Sequence, residues 1–319
     1  MRDLLFYIPT SQGGIRQVHE ALFFQFHSRG LRLRRASSLR ELVHLCLVSI
    51  IRNRCRPYAI LALQCGFLAP LFNRSIYILH GFPVKPFYSP LRTYALILAA
   101  SFARAFGSRL TAVSFLTKNI FQRIYGIYVD AVINNGVDSA YHLLQTTQKK
   151  RQILYLGRLA HNKGIEIIVT TFLALDLASQ GYLLAIAGSG DLEGYVRTVA
   201  SVHPSIHFLG PVTEEQKQLL YQESDIFVSL NDFEPFGVTY IEAAISGCKI
   251  IAPYSSGIID YLPASCPFYR CDPLCPDDVR LAFGAAASSG SAPAAIILEH
   301  YRAFRYEVIA ERYLGLLLA

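Results

Sequence analysis

Short apolar runs alternate with helical repeats along almost the whole chain. Leu4–Ile8 is an unbroken apolar run followed by Gly13-Gly14, and Ile15–Ser28 then carries Val18, Leu22 and Phe26 on one stripe. That order predicts a buried strand, a tight turn and an amphipathic helix. Tyr58–Leu63, Ile76–Leu79 and Leu110–Ser114 read as further strands, with helical patterns between them. Continuous apolar strands interleaved with helices make a parallel sheet covered on both faces. The pattern resets after Asn135-Gly136, a strong turn signal, and the polar stretch Gln145–Gln152 reads as a linker. A second cycle runs through Ile153–Leu156, Leu183–Ala187, Ile206–Leu209, Ile226–Ser229 and Lys249–Ala252. The expectation is an α/β protein of two Rossmann-like domains, 1–148 and 149–300, followed by a terminal segment 301–319. Parallel sheets bind ligands beyond the carboxyl ends of their strands, so both domains should point loops into a shared cleft.

Composition supports that division. The 319 residues are too many for one ordinary domain, and 52% are hydrophobic, which excludes a disordered chain. No apolar run reaches the roughly 18 residues of a spanning helix. The start, Met1-Arg2-Asp3 before a short apolar run, reads as a first strand too short for a signal peptide. Seven cysteines without a dense framework suit a reducing cytoplasm. Cys266, Cys271 and Cys275 cluster, but no histidine stands nearby as the fourth ligand of a closed zinc site.

Charge is distributed unevenly. Residues 1–145 carry 17 Lys/Arg against 5 Asp/Glu, whereas 146–319 carry 13 against 18. The basic residues gather at Arg29, Arg32, Arg34, Arg35 and Arg40, then at Arg52, Arg54 and Arg56. Arginines interleaved with leucines suit a face drawn to anionic lipid or phosphate; a solvated basic surface is the plain alternative. No nucleic-acid-binding motif accompanies them.

Five short motifs fall at strand ends. Gly13 and Gly14 let backbone approach a ligand where a helix begins, although an ordinary turn has the same appearance. Arg158 and Lys163, in Gly157–Gly164, put positive charge at a helix start, the wrong sign for the helix dipole unless an anion arrives. Ala187–Gly194 has glycines at G-x-G-x-x-x-G, the wrong spacing for a dinucleotide fingerprint, and reads as a strand-to-helix turn. In Glu234-Pro-Phe-Gly, the N–H groups near Phe236, Gly237 and Val238 open a helix that carries Glu242. Glu234 and Glu242 could hydrogen-bond two hydroxyl-bearing parts of one ligand, or Glu242 could simply complement the helix dipole. His80 sits at the carboxyl end of a predicted strand, on the cleft side, where a lone histidine is more often structural than functional.

Taken in order, these motifs resemble the GT-B-fold retaining glycosyltransferases of family four (glycosyl transferases group 1). The matching stretches are the Gly13-Gly14 loop, His80, "INNGVD" at 133–138, "LGRLAHNKG" at 156–164, "AGSGDLE" at 187–193 and "EPFGVTYIEAAISG" from 234. The helix "AFRYEVIAERYL" at 303–314 looks like the family's C-terminal segment, which crosses back to the first domain. The resemblance implies a nucleotide-diphosphate-sugar donor, UDP- or GDP-linked, with no cofactor and no metal. It places Arg158 and Lys163 on the diphosphate, Glu234 on sugar hydroxyls beside the backbone of Phe236, Gly237 and Val238, and Glu242 on the ribose. Gly13 and Gly14 would approach the diphosphate, and His80 would lie near the reacting centre. The implied acceptor is a lipid-linked or lipopolysaccharide-type glycan, reached at the inner face of the cell membrane through the basic first domain, with no nucleic acid involved. Lys249 departs from the pattern where a proline is common, and Asp260 where the loop usually leads to a glutamate. Two rival functions remain: a sugar-nucleotide epimerase on the same fold, and a non-catalytic sugar-nucleotide-binding subunit.

Overall fold

A computed structural model describes residues 3–10, 14–83, 89–138, 149–231, 233–262, 266–290 and 301–319. The chain divides into two units, Met1–Gly136 with Ala303–Ala319, and Val137–Arg302. Each is built on a six-stranded parallel sheet.

In the first unit the strands are β1 (Leu4–Tyr7), β2 (Leu33–Ala36), β3 (Tyr58–Ala62), β4 (Arg74–Leu79), β5 (Arg109–Ala112) and β6 (Ala131–Val132), in the order β2-β1-β3-β4-β5-β6. The helices are α1 (Gly14–Ser28), α2 (Leu39–Asn53), α3 (Pro90–Ala105) and α4 (Phe115–Arg123). Serines cap α2, α3 and α4, each accepting a backbone N–H from the first turn. The 3₁₀ segment Leu63–Leu71 packs so closely on α3 that a Cβ on Gly66 would stand 2.4 Å from the Ala99 carbonyl oxygen.

The strand β2 was hidden by its arginines. Arg32 and Arg34 reach the buried Asp3 carboxylate at 2.8 and 3.2 Å, and Arg35 pairs with Glu20 at 3.4 Å. Arg29 donates to the Glu307 carbonyl at 3.0 Å and pairs with Glu311 at 3.6 Å. The first part of the basic cluster is therefore largely engaged within the protein. The helix Tyr306–Leu318 belongs to this unit. Arg74 and Arg109 donate to its last carbonyls, those of Leu317 and Leu316, at 3.2 and 2.6 Å. Cations there complement the negative end of the helix dipole.

The second unit has β7 (Lys150–Leu156), β8 (Leu183–Ala187), β9 (Ile206–Gly210), β10 (Ser224–Val228), β11 (Lys249–Pro253) and β12 (Phe268–Cys271). Its helices are α5 (Ile165–Ala174), α6 (Glu193–Val202), α7 (Glu214–Glu223), α8 (Val238–Ile245) and α9 (Pro276–Ser288). The order is β12-β11-β10-β7-β8-β9, so the direction of winding reverses between the paired strands β7 and β10. Loops leaving the two strands at such a reversal diverge and leave a crevice at their carboxyl ends.

Two details differ from the sequence pattern. Lys150, Arg151 and Gln152 are strand rather than linker; Gln152 is buried and donates to Ser224 Oγ at 2.8 Å, so polarity at a strand start misled the periodicity. Lys249, at the proline position of the family pattern, is buried and bonds Asp225 and the Ala286 carbonyl, both at 3.0 Å, tying β11 to β10 and α9.

Candidate functional site

The crevice of the second unit is built by glycines. Gly188 and Gly190, after β8, have φ of 136° and 150°. A Cβ at Gly188 would stand 1.8 Å from the Gly157 carbonyl oxygen, and one at Gly190 2.4 Å from that of Leu159. These glycines thus pack the loop after β8 directly on the loop after β7, which explains their spacing without a dinucleotide. The Leu159 N–H donates to the Ser189 carbonyl at 2.9 Å, fixing the contact.

That loop delivers two cations. Arg158 is exposed at its start, and no carboxylate among the described residues holds it. Lys163 closes the 3₁₀ turn His161–Lys163, and Gly164 follows at φ 71° as the N-cap of α5, seated against Leu230. This seat brings Lys163 to the loop after β10. Its Nζ lies 3.7 Å from Glu234 Oε2, with both side chains about one-quarter exposed at 24%.

Glu234 is positioned from three sides. Asn231 Nδ2 donates to its Oε2. Its carbonyl accepts the Gly257 N–H at 2.8 Å, which ties in the 3₁₀ turn Gly257–Asp260, where Asp260 stands. Gly237 follows at φ 78° as the N-cap of α8; a Cβ there would stand 2.4 Å from the Tyr240 ring. Phe236 and Gly237 are buried and Val238 half-buried. Phe233 also has positive φ, 57°, which is costly for a non-glycine residue and typical of binding loops. The first N–H groups of α8 have no partner within the helix, and with Lys163 and Arg158 they make a neighbourhood that favours an anion.

Glu242 has partners of its own. It is buried on α8, with Oε1 3.1 Å from Lys217 Nζ and Oε2 accepting from Tyr221 Oη at 3.3 Å. Burial pushes its pKa up to about 7, although Lys217 favours the carboxylate. For Lys217, burial pulls downward but Glu242 and Glu214 outweigh it, so its pKa is raised. The carboxylate keeps acceptor capacity for a further hydroxyl, since each oxygen offers two lone pairs.

In the first unit, Gly14 opens α1 and nothing lies within 4 Å of where its Cβ would stand, while Gly13 lies outside the described residues. His80 follows β4 and meets His19 of α1, Nε2 to Nε2, at 2.8 Å. Burial holds His19 down to about 4 and His80 well below the ordinary imidazole range. Two neutral rings at this distance share one N–H, so one is the Nε2–H and the other the Nδ1–H tautomer. Long-range ¹H–¹⁵N correlation spectra at pH 6 should show both rings neutral with opposite tautomers; a charged ring at that pH would refute the pairing. His19, Lys217 and Asn231 escaped the sequence reading. His19 lies beside the Val18–Leu22–Phe26 stripe, and Lys217 precedes buried Tyr221 by one turn, so a polar residue on a buried helical row was the available signal.

Residues 144–263 match the family model "Glycosyl transferases group 1". This region holds Arg158, Lys163, Glu234 and Glu242, and is less than half of the chain. An uncharacterised glycosyltransferase of Methanocaldococcus jannaschii is 30% identical over 116 residues, 35% of this chain and 30% of that protein. The α-monoglucosyldiacylglycerol synthase of Streptococcus pneumoniae is 27% identical over 117 residues, 34% of this chain and 26% of that protein. The matches thus span about a third or less of these relatives. Among solved structures, Anabaena HepE in complex with UDP and glucose superposes with a TM-score of 0.73 at 15% identity, covering 100% of both chains. The likeness is one of fold, that of two Rossmann-like domains.

Proposed function

We propose that the chain is a retaining, metal-independent glycosyltransferase of family four. It moves a hexosyl or related sugar from a nucleotide-diphosphate donor to a lipid-linked or lipopolysaccharide-type acceptor at the inner face of the cell membrane. The observation that carries the reading is the approach of Lys163 to Glu234 at the winding reversal of the second sheet, beside the start of α8. In this reading Arg158, Lys163 and the N–H groups of Phe236, Gly237 and Val238, at the entry to α8, take the diphosphate. Glu234 accepts from sugar hydroxyls, and Glu242 accepts from the ribose. For the first unit, the proposal assigns Gly13 and Gly14 to the diphosphate and His80 to the sugar.

The chemistry suits these groups. Glycosyl transfer develops positive character at the sugar while negative charge grows on the leaving diphosphate. Fixed cations and helix N–H groups stabilise that charge without reorganising. HepE has been captured with UDP and glucose, and a relative is named for making a glucosylated diacylglycerol, which supports the donor and acceptor classes. A panel of UDP- and GDP-sugars, incubated with lipid extract and analysed for products, tests the proposal. The expected result is a new glycolipid whose anomeric configuration matches the donor. An inverted product overturns retention, an epimerised donor favours the epimerase, and binding without turnover favours the non-catalytic subunit.

A further inference from the structure

The first unit carries a layer whose outer surface is more apolar than a solvated face requires. The helices α2 and α3, with the 3₁₀ segment between them, cover one side of the sheet through Leu42, Cys46, Cys65, Ala100 and Ala103. Their inner faces are therefore accounted for. On the outer side Ile51 of α2 is 79% exposed, and Leu91, Tyr94 and Leu98 of α3 are 82%, 66% and 60% exposed. Leu91, Tyr94 and Leu98 recur at helical spacing and form one row. Phe67, from the intervening segment, is also more than half exposed and packs beside Phe102 of α3 with ring centroids 5.6 Å apart. The apolar surface thus runs from α3 onto its neighbour.

Charge on this layer is one-sided. Arg40 and Arg52 of α2, with Arg54 and Arg56 after it, are exposed. Unlike Arg29, Arg32, Arg34 and Arg35, none of them lies within ion-pair distance of a carboxylate among the described residues. Glu41 is the sole acid of α2, and Ser37 holds its carboxylate through N–H and Oγ at 2.7 and 2.8 Å. Neither α3 nor α4 contains an acid.

We propose that the α2–α3 layer docks on an anionic lipid bilayer. An apolar row with a polar-tipped tyrosine, flanked by uncompensated arginines, matches the boundary between acyl chains and anionic headgroups. No described helix is long and apolar enough to cross a membrane, so the helices lie along the surface. The inference deepens the proposed function by naming the face that meets the membrane, and it rests on the membrane-associated acceptor of that reading.

The chain contains no tryptophan, so single introduced tryptophans report their own surroundings. Leu98→Trp and Ile51→Trp should shift their emission to the blue when vesicles of mixed phosphatidylglycerol and phosphatidylcholine are added, and not with phosphatidylcholine alone. Val202→Trp, on exposed α6 of the other unit, should not shift. Sedimentation with the same vesicles should weaken at least tenfold in Ile51→Glu/Leu98→Glu, and also as salt rises, while the thermal midpoint stays within a few degrees. Absence of anionic-lipid-dependent sedimentation, or an equal shift at Val202→Trp, overturns the docking. So does a self-associated species, seen by sedimentation velocity, that the double glutamate variant dissolves. Vesicle binding is read without donor or acceptor: transfer to a detergent-dispersed acceptor with no docking sinks this inference alone, and docking with no transfer sinks the proposed activity alone.

Discussion

Replacing Lys163 by alanine should lower sugar transfer by about 10²–10³-fold, the scale of losing one fixed electrostatic group from a transition state. The ammonium stands 3.7 Å from Glu234 Oε2, and both groups are partly exposed, so the pair itself contributes little to folding. The loss should therefore fall on chemistry rather than on the fold. Because the charge on the leaving diphosphate is larger in the transition state than in the bound donor, kcat should fall more than donor affinity. Lys163→Arg should recover part of the rate, since it restores the charge with a different geometry. Steady-state transfer measured beside a thermal melt decides the matter: native folding with unchanged turnover removes Lys163 from the mechanism.

The elements that make the crevice were legible because their signals are local. An unbroken apolar run predicts a parallel strand, and Gly157, Gly164, Gly188 and Gly237 mark its loops; all four stand at the carboxyl ends of strands or where helices begin. What escaped has a common physical origin. The strand β2 reads Leu-Arg-Arg-Ala, and Arg34 within it and Arg32 before it pair with the buried carboxylate of Asp3, far away in the chain. The His19–His80 and Lys217–Glu242 contacts join residues 61 and 25 positions apart, and no periodicity within one helix reports its partner. The basic stretch from Arg29 to Arg56 illustrates the same limit. Composition shows one cluster, whereas tertiary structure separates arginines engaged with Asp3, Glu20 and Glu311 from those left at the outer face of α2.

The Lys217–Glu242 pair gives the largest expected effect on stability. Lys217→Met should cost about 3–5 kcal/mol above neutral pH, the range for removing one partner of a buried ion pair. The sign of its pH dependence follows from Glu242. The folded pKa, about 7, lies above the ordinary 4.5, so between these values the folded protein holds a proton that the unfolded chain has released. This group's contribution therefore falls as pH rises through that window and levels off once the folded carboxylate is ionised. Without Lys217, burial acts unopposed by that cation and the window extends upward. Lys217→Met should thus be mild near pH 5, where Glu242 is protonated in both proteins, and severe near pH 8.5. Denaturant unfolding at the two pH values measures the difference. Glu242→Gln in the Lys217→Met background should recover most of the loss at pH 8.5, because a neutral amide needs no counter-charge. Equal penalties at both pH values would show that Lys217 acts through packing of its stem rather than by holding the carboxylate of Glu242 ionised for a ligand.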